Sequence, residues 1–223
     1  MDSRRGLFIT FEGPEGGGKT VQAVRLQERL QAKGYKAVRT REPGGTAIGD
    51  KIRAILADPQ NGAMLPLTEL LLFEASRFQH VHEFVLPQLK AGVHVICDRF
   101  CDSSLAYQSA RGLPVDLVDR LNRLAMGECQ PDLTFLLDIS YEDGKQRLRQ
   151  RYKGDAGQLD RIELEKREFF ESLRQNYLDM AAGHLGELVL DSSRWHKIEA
   201  VQSVETVGGL IWEQVQKKLD SIR

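Results

Sequence analysis

Gly13-Pro14-Glu15-Gly16-Gly17-Gly18-Lys19-Thr20 is a complete G-x-x-x-x-G-K-T loop, set between the apolar run Leu7-Phe8-Ile9-Thr10-Phe11 and the polar, periodic stretch Val21–Gln31. That order is strand, glycine loop, helix. Glycines let the backbone curl until several N–H groups face one point. The helix that follows turns the positive end of its dipole toward the same point. A chain of phosphates is the ligand that such a cradle suits. Lys19 would reach its β- and γ-phosphates, and the Thr20 hydroxyl would ligate Mg²⁺. A chance glycine turn would lack the flanking strand and helix. The loop therefore implies a nucleoside triphosphate site made by Gly13 to Thr20.

Moving outward, strand and helix signals alternate. Gly34 closes the first helix. Lys36–Thr40 reads as a second strand, and Pro43-Gly44-Gly45 breaks the chain. Thr46 can cap a helix through Ile48, Ile52, Ile55 and Leu56. Leu67–Leu89 reads as one long helix whose apolar surface exceeds a narrow stripe. Such a helix is buried on two sides or packs against a second subunit. Val93–Cys97 and Leu133–Leu137 read as buried strands, Gly186–Leu190 as the last strand, and about Ile198 to Leu219 as a closing helix. Strands separated by helices imply an α/β fold, a parallel sheet with helices on both faces. Ligands bind beyond the carboxyl ends of such strands. Glu12-Gly13, Arg41-Glu42, Asp98-Arg99 and Asp191-Ser192 are expected there.

Bulk properties narrow the function. A chain of 223 residues suits a single α/β domain. A net charge of −1 without a long basic block argues against a nucleic-acid partner. No stretch approaches a membrane span, and the apolar run after the charged amino terminus is short for a signal peptide. Three cysteines, Cys97, Cys101 and Cys129, lack metal-type pairing and read as free thiols in a reducing cytosol. The expectation is a soluble, cytoplasmic protein. His94 reads as a packed histidine rather than a ligand.

Several side chains carry candidate chemistry. Arg147, Arg149 and Arg151 precede Lys153 and Arg161 in an element rich in charge, Arg147 to Glu163. Arg147 and Arg151 share a helix face, where like charges repel unless an anion lies between them. Phosphoryl transfer needs positive charge on the moving oxygens and exclusion of water, which a closing arginine lid supplies. Asp98 and Asp138 both end apolar strands and compete for the Mg²⁺ carboxylate. Asp98 is favoured because Arg99 and a Ser/Tyr-rich helix start adjoin it. Phe73 and Arg77, four apart, suit a planar heterocycle with an exocyclic carbonyl, although a core phenylalanine and a surface arginine would show the same spacing.

With these residues in hand, the chain resembles the bacterial thymidylate kinases. The resemblance rests on FEGPEGGGKT at Phe11–Thr20, TREPGGT at Thr40–Thr46, DRF-x-x-S-S-x-A-Y-Q at Asp98–Gln108 and LDRIE at Leu159–Glu163. It spans about residues 7 to 193. It implies a P-loop NTPase three-layer fold with a five-stranded parallel sheet and a mobile arginine-rich lid at about 147–163. Residues 1–223 would form one thymidylate-kinase-like domain. ATP would lie on Gly13, Pro14, Glu15, Gly16, Gly17, Gly18, Lys19 and Thr20, with Mg²⁺ on Thr20 and Asp98. For dTMP, the resemblance implies that Glu15 holds the 3′-hydroxyl, that Phe73 stacks on thymine and that Arg77 bonds its O4. Ser104 and Gln108 would meet the base edge. Tyr107 would exclude a ribose 2′-hydroxyl. Arg53 and Arg99 would grip the phosphate, with Arg41 nearby. The loop has no basic residue between Gly13 and Lys19, so the lid would supply the catalytic arginine: Arg151 first, Arg147 second. Relatives are dimers, which matches the long apolar helix Leu67–Leu89.

The reading is an ATP:dTMP phosphotransferase, with Lys19, Mg²⁺ and a lid arginine neutralising charge on an aligned pair of substrates. A kinase for another acceptor is the nearest rival. A nucleotide-driven switch is a rival of another class, but the chain contains no Asn-Lys-x-Asp string for reading guanine.

Overall fold

Phe8-Ile9-Thr10-Phe11-Glu12 is buried along its whole length and forms β1. A strand with no exposed face needs neighbours on both edges and cover on both sides. The computed structural model describes residues 5–152, 159–184 and 191–221. β1 pairs in parallel with β3 (His94–Asp98) and β4 (Leu133–Asp138). β2 (Ala37–Arg41) adds to β3, and β5 (Trp195–Glu199) adds to β4, again in parallel. The order is β2-β3-β1-β4-β5, a five-stranded parallel sheet with β1 in the middle.

Alternation along the strands divides the core. Ile9, Phe11, Phe135 and Leu137 face α1 (Lys19–Ala32) and α9 (Val204–Ser221), packing with Leu26, Leu30, Ile211 and Val215. Phe8, Val95 and Cys97 face the other way, against Val81, Val85, Leu89 and Met126. Leu136 joins a third cluster, made with α3 (Pro66–His80), α5 (Cys101–Ala110), α6 (Val115–Met126) and α8 (Arg167–Ala181). α2 (Ala47–Ala57) packs on α3, and α7 (Tyr141–Tyr152) follows β4. Thr46 caps α2 as its sequence suggests, accepting from the Gly49 amide. The three cysteines are buried free thiols, and His94 accepts a hydrogen bond from the Leu7 amide. Among the described residues no helix is long and apolar enough to cross a membrane.

The chain departs from its sequence reading in three places. The long helix is interrupted: α3 gives way to a π turn at Val81–Val85 before α4 (Leu86–Lys90). Pro87, near the start of α4, has no N–H to continue the regular ladder, and a widened turn absorbs the missing bond. The expected last strand, Gly186–Leu190, lies outside the described residues. The strand that pairs with β4 is Trp195–Glu199. It is an edge strand in which only Trp195 and Ile198 are buried, so it carries no apolar run to announce it. Ile198 therefore belongs to the sheet, and the closing helix starts after Ser203, whose hydroxyl accepts from the Thr206 amide. Asp191-Ser192 precedes β5, and Asp191 lines a separate cleft with Arg5, Lys217 and Leu133 at the amino end of β4 rather than the cavity at the carboxyl edge.

Candidate active site

The carboxyl ends of β1, β2 and β3 deliver the glycine loop at Glu15–Thr20, Glu42 and Arg99 to one cavity of about 810 Å³. Its floor is the glycine loop. Gly18 enters α1 with φ 87° and provides no side-chain cap, so the first turn of the helix opens on the cavity. Gly13 has φ 127°, and a Cβ there would lie 2.5 Å from the Leu137 carbonyl oxygen. Gly16 and Gly144 answer each other: a Cβ on Gly16 would come within 2.6 Å of the Gly144 carbonyl, and one on Gly144 within 2.6 Å of the Glu15 carbonyl. Only a glycine in each partner lets α7 approach the loop this closely. Lys19 folds back, donating to the carbonyls of Gly13 (3.0 Å) and Pro14 (2.8 Å). Burial and the Arg99 charge lower its pKa to about 8, against the pull of Glu15. A triphosphate would replace those two carbonyls as the partner of the ammonium.

Thr20 and Asp98 meet at the cavity, with the threonine hydroxyl donating to Asp98 Oδ2. The rival carboxylate, Asp138, is engaged elsewhere. It is buried and receives two bonds from Arg174, at 2.6 and 3.0 Å. A hydroxyl and one carboxylate are hard oxygen donors, and Mg²⁺ takes few such protein ligands beside phosphates and water. The pair fits that ion.

Arg99 is the one non-glycine residue with positive φ among the described residues, at 71°. Its guanidinium donates to Glu15 (2.6 Å), the Gly13 carbonyl (3.1 Å), Ser103 (3.2 Å) and Tyr177 (3.2 Å). Tyr107 also donates to Glu15, at 2.8 Å, and its ring lies under Arg99. Burial works against a charge on Glu15, yet Arg99, Lys19 and these bonds hold its pKa down at about 2. Arg53 and Arg41 line the same region. Burial, then Arg41, then Arg99 push the Arg53 guanidinium below its ordinary value. Three mutually repelling guanidinium groups around open space form a receptor for a polyanion.

On α3, Phe73 and Arg77 both reach the cavity. Arg77 is not a surface residue: it is 1% exposed and donates to Glu42 (2.8 Å), Glu74 (2.6 Å), Ser104 (3.0 Å), Asn122 (2.6 Å) and the Phe100 carbonyl (3.1 Å). Nε and Nη1 carry four of these contacts and Nη2 only one, which leaves an Nη2 proton for a ligand. Gln108 does not line the cavity. It is fully buried and donates to Glu69 at 2.7 Å, because its turn of α5 faces α3 rather than the open side.

The far wall is α7. Arg147 lines the cavity and donates to the carbonyls of Gly16 (3.1 Å) and Ala200 (2.8 Å). Arg151 lines it one turn on, beside the Tyr152 ring. Residues 153–158 of the expected lid lie outside the described residues. Beyond them, Asp160 and Glu163 return to the cavity wall, and Arg161 is buried against Glu69 and the Leu56 carbonyl. Sequence reasoning placed Glu12 and Glu42 at strand ends without assigning them a role, and missed Glu74, Asn122 and Tyr177. Asn122 and Tyr177 meet their arginines only through the fold.

The family model described as thymidylate kinase matches residues 11–206. A thymidylate kinase of Pelobacter propionicus is 46% identical over 219 residues, covering 97% of each chain. Thymidylate kinases of Citrifermentans bemidjiense and Pseudomonas fluorescens are 42% and 43% identical, each match covering 97% of this chain and 94% of the relative. Identity of this size, sustained over nearly the whole of both sequences, means that this chain belongs to the thymidylate kinase family, whose reaction is transfer of the ATP γ-phosphoryl group to dTMP.

Proposed function

We propose that the cavity divides the two substrates of the dTMP kinase reaction between its walls, within one domain whose lid spans about 147–163. ATP lies on the Gly13–Thr20 loop with its triphosphate on Lys19, and its base end toward Gln202 and Val204, which line the same cavity. The dTMP phosphate lies among Arg53, Arg99 and Arg41. Thymine lies on Phe73, with its O4 on Arg77 and its edge near Ser104. Gln108 lies one turn beyond Ser104 on α5, buried against Glu69. Glu15 holds the 3′-hydroxyl, and Tyr107 occupies the space of a 2′-hydroxyl. The observation that carries the reading is the continuity of one cavity from the phosphate loop to Phe73 and Arg77.

Mg²⁺, held by Thr20 and Asp98, would neutralise negative charge on the triphosphate. The protein's own part is alignment and charge. The transition state is loose and spreads its charge over the equatorial oxygens, so fixed cations facing it lower the barrier. Lys19 supplies one, and Arg151, which lines the cavity and has no carbonyl or carboxylate partner among the described residues, supplies the other. Arg147, tied to Gly16 and Ala200, braces the loop. We also place the enzyme in the cytoplasm, in keeping with its free thiols.

α3 carries an exposed apolar stripe, with Leu67 at 45%, Leu71 at 50% and Phe78 at 51% exposure, and the neighbouring α6 exposes Leu124 at 74%. We propose that this stripe meets the same stripe of a second copy in a two-fold dimer. Leu71→Glu with Phe78→Glu is then expected to halve the mass seen in sedimentation equilibrium. A wild-type monomer at micromolar concentration removes the dimer.

Coupled ADP release tests the reaction, with dTMP, dUMP, the ribose form of TMP, CMP, AMP and no acceptor compared. Strong stimulation by dTMP and little by the ribose form is expected. Equal turnover with and without acceptors would leave a nucleotide-driven switch. Arg151→Ala is expected to cut turnover about a thousandfold or more while dTMP affinity stays nearly intact. An unchanged rate moves the role to Arg147 or Arg149.

Glu15 predicts an acid limb in stability. A carboxylate whose pKa falls from 4.5 to about 2 on folding stabilises the fold above pH 4.5 and loses that contribution as the pH falls toward 2. The urea midpoint of the wild type should therefore drop more between pH 6 and pH 3 than that of Glu15→Gln. Parallel curves would show that Glu15 is not held ionised by its neighbours.

A further inference from the structure

Glu12 ends β1, is fully buried, and lies outside the cavity lining. It touches neither substrate in the reading above. Its surroundings are nonetheless organised around Arg99. Glu12 Oε1 accepts from the Phe100 amide at 2.7 Å. Oε2 accepts from the Ser103 hydroxyl at 2.6 Å and the Tyr177 hydroxyl at 3.1 Å. Those same two hydroxyls accept from Arg99 Nη1, each at 3.2 Å. Each is thus a relay, with a proton given to the carboxylate and a lone pair given to the guanidinium. β1 also grips the Arg99 backbone from the other side, because the Arg99 amide donates to the Phe11 carbonyl at 2.9 Å. The residue between these two anchors is the one that carries a left-handed φ of 71°. Such a backbone persists only where its surroundings over-determine it.

We propose that Glu12 is the positioning residue for Arg99: it pins the strained backbone through Phe100 and orients the guanidinium through Ser103 and Tyr177, so that the enzyme meets the acceptor phosphate with this cation already in place. The inference rests on the reading of Arg99 as a dTMP-phosphate ligand. Pre-organisation is its physical content. A guanidinium free to choose among rotamers would have to be ordered at each binding event, at a cost to affinity for the acceptor. ATP, held by the loop and Lys19, would not bear that cost. Glutamine at position 12 could still accept from Phe100. Its amide nitrogen would donate to hydroxyls that already receive a bond from Arg99, and the relay would break.

The test is a double-mutant cycle on the full chain, read as KM for each substrate and as melting temperature. Glu12→Gln is expected to raise the KM for dTMP about tenfold, about 1.4 kcal/mol, and to leave the KM for ATP within about twofold. In an Arg99→Ala background the same change should add little to the dTMP KM. Equal losses in both backgrounds, or a lower melting temperature with an unchanged dTMP KM, would overturn the inference. Should Glu12→Gln fail to fold, Ser103→Ala and Tyr177→Phe remove one relay each and keep the carboxylate. They should give smaller rises of the same selectivity, and unchanged dTMP KM in both would overturn it. A loss with Arg99→Ala but not with Glu12→Gln sinks the inference alone. No loss with either sinks the acceptor-phosphate reading beneath it.

Discussion

A guanidinium taken out of water must be met by carboxylates and carbonyls at hydrogen-bond distance, and two of them, on Arg77 and Arg99, stand at the carboxyl edge of this sheet. Removing charge from water costs several kcal/mol per ion unless partners repay it. Arg77 is repaid by Glu42 at the end of β2, Glu74 on its own helix, and Ser104, Asn122 and the Phe100 carbonyl from α5, α6 and the loop between β3 and α5. Arg99 is repaid by Glu15 of the glycine loop and by hydroxyls from α5 and α8. Each arginine therefore ties together elements distant in the chain, and the cavity takes its shape from where those elements must stop. The carboxylates leave each guanidinium with a fixed orientation.

A second constraint works through absence of bulk. The loop can present its amides to a phosphate only if its outer side is free of Cβ atoms, and α7 can bring Arg147 and Arg151 to the same cavity only by lying against that outer side. Gly16 and Gly144 satisfy both needs at one point of contact. Arg147 then donates back to the Gly16 carbonyl, so the helix that carries the arginines also braces the loop. Glycine loop and arginine wall are in this sense a single unit of packing.

Glu69 makes a comparable junction on the other side of the cavity. It is 1% exposed and takes bonds from Gln108 and Arg111 at the end of α5 and from Arg161. The segment that returns from beyond α7 is anchored there to the helix that bears Phe73 and Arg77. Arg161 has the look of a lid cation in sequence and the environment of a structural one in the fold. Charge on a side chain is legible in a sequence, but the partner that consumes it is not.

The amino-acid sequence by itself determined the glycine loop and its flanking strand and helix, the buried strands around β1, the cap at Thr46, the place of Asp98-Arg99 at a strand end, and the spacing that sets Phe73 and Arg77 on one stretch of helix. These are local signals: spacing, glycine, capping hydroxyls and runs of apolar residues act over a few bonds, and the chain obeys them wherever it folds. Only the tertiary structure decided that β5 is the mixed segment Trp195–Glu199, that Pro87 widens the long helix into a π turn, that Gln108 turns toward Glu69, and that Glu12, Asn122 and Tyr177 stand behind the arginines. An edge strand is chosen by the partner it adds to. A buried polar side chain is chosen by the unmet hydrogen bond it answers, and that bond can lie 45 or 165 residues away along the chain. Such choices are energies of contact between elements, and they exist only once the sheet has brought those elements together.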